Sequence, residues 1–186
     1  MGFEITTVYK EHAPALRFIG KRYANNDRDT GGGYGHRWTE WFQNHWFAEL
    51  ERLGPSKVVE SGYLGLMTFR SDGDKASCPF SGEFTYWIGL FFPSGTGVPD
   101  GFGHLDLPES DIGMTWIHGD DRTGEIYGGD PHKAAYGKLL EQGWGRVREN
   151  AAGDHTVVFF ERYNNQRFTT RDEQNKVTLD YGFYIE

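Results

Sequence analysis

The order in which apolar patterns follow one another constrains this chain's fold more than any single motif. Ala15–Tyr23 sets Leu16 and Phe18 between polar neighbours and reads as a strand. From His36 to Leu53 the period changes. Trp38, Phe42, Trp46, Leu50 and Leu53 recur every three or four residues, one apolar face of a helix that Gly54-Pro55 stops. Tyr63–Phe69 and Glu83–Phe92 read as a hairpin across the polar stretch 70–82, and Pro93 to Gly103, rich in Gly and Pro, reads as a linker. The order then repeats. Asp111–His118 is a strand, and Asp130-Pro131 supplies an N-cap and a first helical proline. That helix runs to Gln142 and stops at Gly143, and Thr156–Tyr163 with Lys176–Ile185 form a closing hairpin.

Each half is therefore strand, helix, strand, strand, with matching elements about 94 residues apart, the pattern of a duplicated unit. The expected fold is α+β, with the two units related by a pseudo-twofold axis. One domain covers 1–186, with repeat 1 over roughly 3–92 and repeat 2 over roughly 103–186. A sheet covered by one helix still needs a surface for its remaining apolar residues. Packing the units side by side meets that need and leaves a cleft at the junction, where ligand pockets form most readily.

Composition narrows the function. With 27 acidic against 19 basic residues the net charge is -8, which disfavours direct binding to nucleic acid and favours cationic partners. Aromatic residues reach 16%, an excess that serves either a heavy core or a ring-lined pocket. Cys78 is the only cysteine, so no intrachain disulfide forms, and Met-Gly-Phe-Glu-Ile lacks the character of a signal peptide. No apolar run approaches a membrane span. The expectation is a cytoplasmic monomer or weak dimer with no membrane contact.

Glu161 is the first candidate for chemistry. In the closing strand Val157, Phe159, Glu161 and Tyr163 share one face and Val158, Phe160 and Arg162 the other. A carboxylate in so apolar a strand needs compensation. Either it pairs with an arginine such as Arg167, since Arg162 points away, or it forms the acidic floor of a pocket. In the pocket, shielded and without a standing partner, its pKa is expected to rise. Tyr86 offers a hydroxyl on the same face as Phe84 and Ile88, and Trp38, Trp41, Trp87 and Trp116 offer flat rings. Rings around a carboxylate suit a delocalised cation through stacking, cation–π attraction and charge neutralisation. The ligand-binding set is Glu161, Tyr86, Trp38, Trp41, Trp116, Phe159, Tyr163 and Met67.

Other chemistries lack their residues. The seven histidines show no metal-ligand spacing, and His118-Gly-Asp-Asp121 reads as a turn. Gly31-Gly32-Gly33 lacks the ending of a phosphate loop, and no Gly-x-Ser-x-Gly element is present. Nothing around Cys78 activates it as a nucleophile. No metal and no cofactor is expected.

Phe18-Ile-Gly-Lys, Trp38-Thr-Glu-Trp-Phe, Tyr63-Leu-Gly, Phe84-Thr-Tyr-Trp-Ile-Gly, Val98-Pro-Asp-Gly-Phe102, Leu107-Pro108 and Phe160-Glu-Arg-Tyr163 follow in order over nearly the whole chain. In this ordered set the chain resembles the GyrI-like, or effector-binding, family, whose SOUL-like fold also forms the drug-sensing domains of certain AraC- and MerR-type regulators. The resemblance implies two strand-helix-strand-strand units. It also implies a pocket-floor acid at Glu161 and pocket aromatics at Tyr86 and Trp38. Asp111–Trp116 does not align with the family's aromatic, which leaves Trp116 unassigned. Some members of the family bind drugs or effectors. Others hydrolyse strained cyclopropane-bearing DNA alkylators with pocket Glu and Tyr residues, so Glu161 and Tyr86 would be the catalytic pair of an enzyme. Both readings stay open. The chain starts close to its first strand, leaving no room for a helix-turn-helix, so any role in transcription would run through a partner such as a regulator protein.

Overall fold

The computed structural model describes residues 2–70, 84–149, 151–153 and 156–186. The strands are β1 (Glu4–Ala13), β2 (Leu16–Tyr23), β3 (Tyr63–Arg70), β4 (Phe84–Pro93), β5 (Gly103–Leu107), β6 (Ser110–Gly119), β7 (Thr156–Tyr163) and β8 (Val177–Ile185). The helices are α1 (Gly35–Gln43), α2 (Trp46–Glu51), α3 (Gly129–Glu141) and α4 (Asn165–Thr169). All strands join one antiparallel sheet in the order β1-β6-β8-β7-β3-β4-β2-β5. The fold class is the expected mixture of helices on a sheet. Outward from the β7–β3 seam the strands run β8, β6, β1 on one side and β4, β2, β5 on the other.

Both faces of the sheet are apolar. One, under the helices, gathers Ile19, Met67, Tyr86, Ile88, Phe159, Tyr181 and Phe183 with Trp41, Phe47 and Leu50 from α1 and α2 and Leu139 from α3. The other gathers Phe18, Leu64, Leu66, Phe91, Met114, Phe160 and Tyr184. Strands buried on both faces have no polar alternation to lose, which is why β7 and β8 read as nearly continuous apolar runs.

Four local expectations need correction. The single helix over 36–53 is two helices, because His45 takes a left-handed conformation (φ 56°) that breaks the hydrogen-bond ladder. The buried face is also not the expected stripe: Trp41, Phe47 and Leu50 are buried while Phe42 and Leu53, both on that stripe, are exposed. α3 begins one turn's fraction earlier than Asp130, with Gly128 at the N-cap; Pro131 is still tolerated because first-turn N–H groups lack intrahelical acceptors. The linker is followed at once by β5, an edge strand too short to show alternation. β1, whose residues are mostly half-exposed, lies before the first strand read from sequence. The residues around Cys78, and the stretch 71–83 of the expected hairpin loop, lie outside the described residues. Among the described residues, no helix is long and apolar enough to cross a membrane.

Candidate functional site

A cavity of about 1050 Å³ lies above the seam where β3 meets β7. Met67, Tyr86, Glu161 and Tyr163 form its floor, since alternation turns these side chains towards the helices. Trp38 of α1 and the preceding Tyr34 wall one side, His132 of α3 and the preceding Tyr127 the other, and Phe168 of α4 adds a further ring. The site thus needs elements from both halves of the chain.

Glu161 is only 6% exposed, yet no lysine or arginine among the described residues approaches it. The Tyr163 hydroxyl donates to its Oε2 at 2.9 Å, and His132 Nε2 stands 3.3 Å from Oε1. Tyr181 lies across the β7–β8 ladder, its hydroxyl also 3.3 Å from Oε1. That hydroxyl has one hydrogen and a nearer acceptor, the Ile126 carbonyl at 2.7 Å, so His132 is the better-placed donor to Oε1. The carboxylate therefore has standing partners, contrary to the expectation of none. Its partners are uncharged hydroxyls and an imidazole, not a guanidinium. Arg162 and Arg167 instead meet on the far side of the strand, both bonded to Asp180 and Glu60.

Beside Glu161, the Tyr86 hydroxyl accepts from Trp38 Nε1 at 3.0 Å, and its ring stacks on Tyr34 at 4.2 Å, 5° from parallel. Trp38 packs against Tyr163 (4.6 Å), which meets Phe168 edge-on (4.8 Å). Under these groups lies Gly65, register partner of Glu161. A Cβ there would sit 2.3 Å from the Tyr86 hydroxyl and 3.2 Å from Glu161 Oε2. The missing side chain is what lets the two polar groups converge over bare backbone.

Burial, reinforced by the negative Glu161, pushes the hydroxyls of Tyr86, Tyr163 and Tyr181 well above the usual tyrosine value. Tyr127 is raised for the same two reasons. These groups stay neutral at physiological pH and act on a ligand only as hydrogen-bonding or π partners. At the rim Asp121 is held by Arg171 at 2.7 and 2.9 Å, and Glu60 by Arg167. Glu51 accepts from the Tyr63 hydroxyl at 2.9 Å; burial first and that bond second push Tyr63 up to about 12.

Of the eight residues read from sequence, Glu161, Tyr86, Trp38, Tyr163 and Met67 line this cavity. Three do not. Trp41 is fully buried beneath α1, its Nε1 donating to the Tyr23 hydroxyl at 2.8 Å. Phe159 is fully buried as well, edge-on beneath His132 at 4.6 Å. Trp116 faces the other side of the sheet, against Tyr9 and 4.2 Å beneath the Arg167 guanidinium. Trp87, also weighed as a ring of the site, packs on that far side. His118, Asp120 and Asp121 are each engaged by Asp172, Arg122 and Arg171 respectively. Sequence reading missed His132, Tyr181, Tyr127, Tyr34 and Gly65. Tyr181 carried a signal, being in phase with Leu179 and Phe183 on a strand paired with β7.

No family model matches the sequence, and no curated protein matches it. The fold is similar to that of a candidate bacterial transcription regulation protein from Staphylococcus aureus MU50. Its TM-score is 0.60 at 16% identity, over 97% of this chain and 98% of that one. It is also similar to SAV2435, solved bound to tetraphenylphosphonium, with TM-score 0.62 at 15% identity over 97% of this chain and 94% of that one. At such identities the likeness is one of fold.

Proposed function

We propose that this protein binds bulky aromatic cations in the cavity, with Glu161 as the countercharge. The observation that carries the reading is a buried carboxylate, on the floor of an aromatic cavity, compensated by hydroxyls and an imidazole with no fixed cation. Such a group gains most when a ligand brings the missing positive charge. At ~4 Å and an effective dielectric of ~20 the attraction is about 4 kcal/mol before desolvation is subtracted. Each well-placed ring adds about 0.5–2 kcal/mol of cation–π attraction, and apolar burial adds to both. The resemblance to the effector-binding family supports this ligand class, as does the phosphonium carried by SAV2435. Sensing through a protein partner and sequestration are both served by such binding.

Titration with tetraphenylphosphonium, read by quenching of tryptophan fluorescence, tests the reading. Micromolar binding is expected, weakened at least about tenfold in Glu161→Gln, a loss of about 1.4 kcal/mol. Equal affinity in the two proteins would refute it.

The convergence of Tyr86 and Glu161 over Gly65 favours one rival, hydrolysis of a strained electrophile. Glu161 would draw a proton from water as the water oxygen attacks the ring carbon. The electrons of the broken carbon–carbon bond would pass into the conjugated system, whose developing oxyanion Tyr86 would hold by a hydrogen bond until it takes a proton from solvent. Turnover of a spirocyclopropane compound, lost in Tyr86→Phe and in Glu161→Gln, would establish it; binding without turnover leaves the binding role.

A further inference from the structure

We propose that His132 decides which charge class the cavity accepts. The proposal rests on the cation-binding reading above. His132 Nε2 stands 3.3 Å from Glu161 Oε1, and its ring is fixed edge-on against Phe159 at 4.6 Å and Tyr181 at 4.9 Å. A neutral imidazole leaves the carboxylate's charge open to a ligand. An imidazolium cancels that charge from inside the wall, at the oxygen a ligand cation would use. Ligand and proton then compete for one carboxylate. With His132 neutral the cavity takes cations; with His132 charged it is electrically balanced and takes uncharged aromatic molecules.

The groups facing His132 leave it as the controlling one. Glu161 of β7 and Tyr181 of β8 touch His132, and Tyr163 of β7, Tyr86 of β4 and Tyr127 from the segment before α3 line the same cavity. The four tyrosines hold their protons well beyond neutrality. Asp121, at the rim, is paired with Arg171. On α3 itself Asp130 and Lys133 flank His132 with opposite charges. Between about pH 5 and 8, imidazole is the side chain that ordinarily changes charge.

The experiment is calorimetric titration of the whole chain at about pH 8 and about pH 5.5, the window in which imidazole titrates. Tetraphenylphosphonium is the cation and triphenylphosphine oxide the uncharged aromatic. The wild type is expected to lose at least about tenfold in phosphonium affinity at the lower pH while the phosphine oxide changes less than about twofold. His132→Gln, which keeps a donor near Oε1, is expected to lose that pH slope. Near the imidazole midpoint, runs in two buffers of different ionisation heat should show protons released as the phosphonium binds. This measurement on the wild type decides the matter even if the variant does not fold. Phosphonium binding with no slope and no proton release overturns the role of His132. A slope kept in His132→Gln also overturns it, because the proton then belongs to Glu161. No phosphonium binding at pH 8 overturns the cation-binding reading itself, and this proposal with it.

Discussion

Glu161 and Arg162 are consecutive on β7 and serve opposite faces of the sheet. Glu161 floors the aromatic cavity among hydroxyls and an imidazole. Arg162, 1% exposed, is bonded to Asp180, Glu11 and Glu60 and to the Tyr9 hydroxyl, all between 2.9 and 3.1 Å. One strand therefore carries two buried charges with different solutions, and their substitution should have different consequences.

Arg162→Met should be severely destabilising. It leaves Asp180, fully buried, with Arg167 as its remaining cation and strips Glu11 of its guanidinium. Removing one member of a buried ion network costs about 3–5 kcal/mol. Urea denaturation should show the midpoint falling accordingly, with phosphonium affinity of the folded fraction changed less than about twofold, because Glu161 lies on the opposite face and Glu60, the network's member at the cavity rim, keeps its pair with Arg167. A loss below about 1 kcal/mol would mean that water or Arg167 makes good the charge.

Glu161→Gln should be nearly neutral for stability, within about 1 kcal/mol, since no partner of Glu161 is a fixed cation and an amide still accepts from the Tyr163 hydroxyl. The same denaturation experiment checks it. A loss of about 3 kcal/mol would mark Glu161 as half of a structural ion pair and take the centre out of the proposed site.

These contrasts show what the sequence could and could not display. Strand alternation separates Glu161 from Arg162 with no structural knowledge, because the period of two is fixed by backbone geometry. It also identifies Tyr86, Tyr163 and Met67. Helical period set Trp38 and Trp41 on adjacent faces, one to pack inward and one to border the cleft, without saying which; it failed at Phe42 and Leu53, which are exposed, because one continuous stripe ignores the break at His45, and a left-handed histidine leaves no mark in an apolar stripe. His132 was invisible for another reason. It lies 29 residues from Glu161 and reaches it only because α3, packed on β6, β1 and β8, brings its first turn against β7. Contacts set by how a helix docks have no local signature. β1 and β5 escaped because edge strands keep many exposed polar residues.

Gly65→Ala should damage the site from beneath. The added methyl meets the Tyr86 hydroxyl at 2.3 Å and its ring carbon at 3.0 Å, so the ring must lift and break its bond from Trp38 Nε1. Overpacking of this kind costs about 1–3 kcal/mol. Phosphonium affinity should fall at least about tenfold while circular dichroism shows the sheet intact. Unchanged affinity would mean that ligands do not use the space between Tyr86 and Glu161.

The tyrosines around Glu161 should resist ionisation until the fold fails. Tyr86, Tyr163 and Tyr181 are raised first by burial and second by the carboxylate. Their folded values exceed the unfolded one of about 10. The stability they contribute is fully present below that value and is lost as pH climbs towards the folded values, because the unfolded chain then releases protons the folded chain keeps. Each such group removes up to about 1.4 kcal/mol of stability per pH unit in that window. Of the ten tyrosines, these three should appear as tyrosinate absorbance only together with loss of near-ultraviolet dichroism. In Glu161→Gln the carboxylate's contribution is gone and burial remains, so the step should move to higher pH as folded-state repulsion is relieved. If all ten ionise reversibly around pH 10 with tertiary dichroism intact, the cavity floor is open to solvent. Glu161 would then lack the desolvated surroundings that make a ligand's charge worth binding.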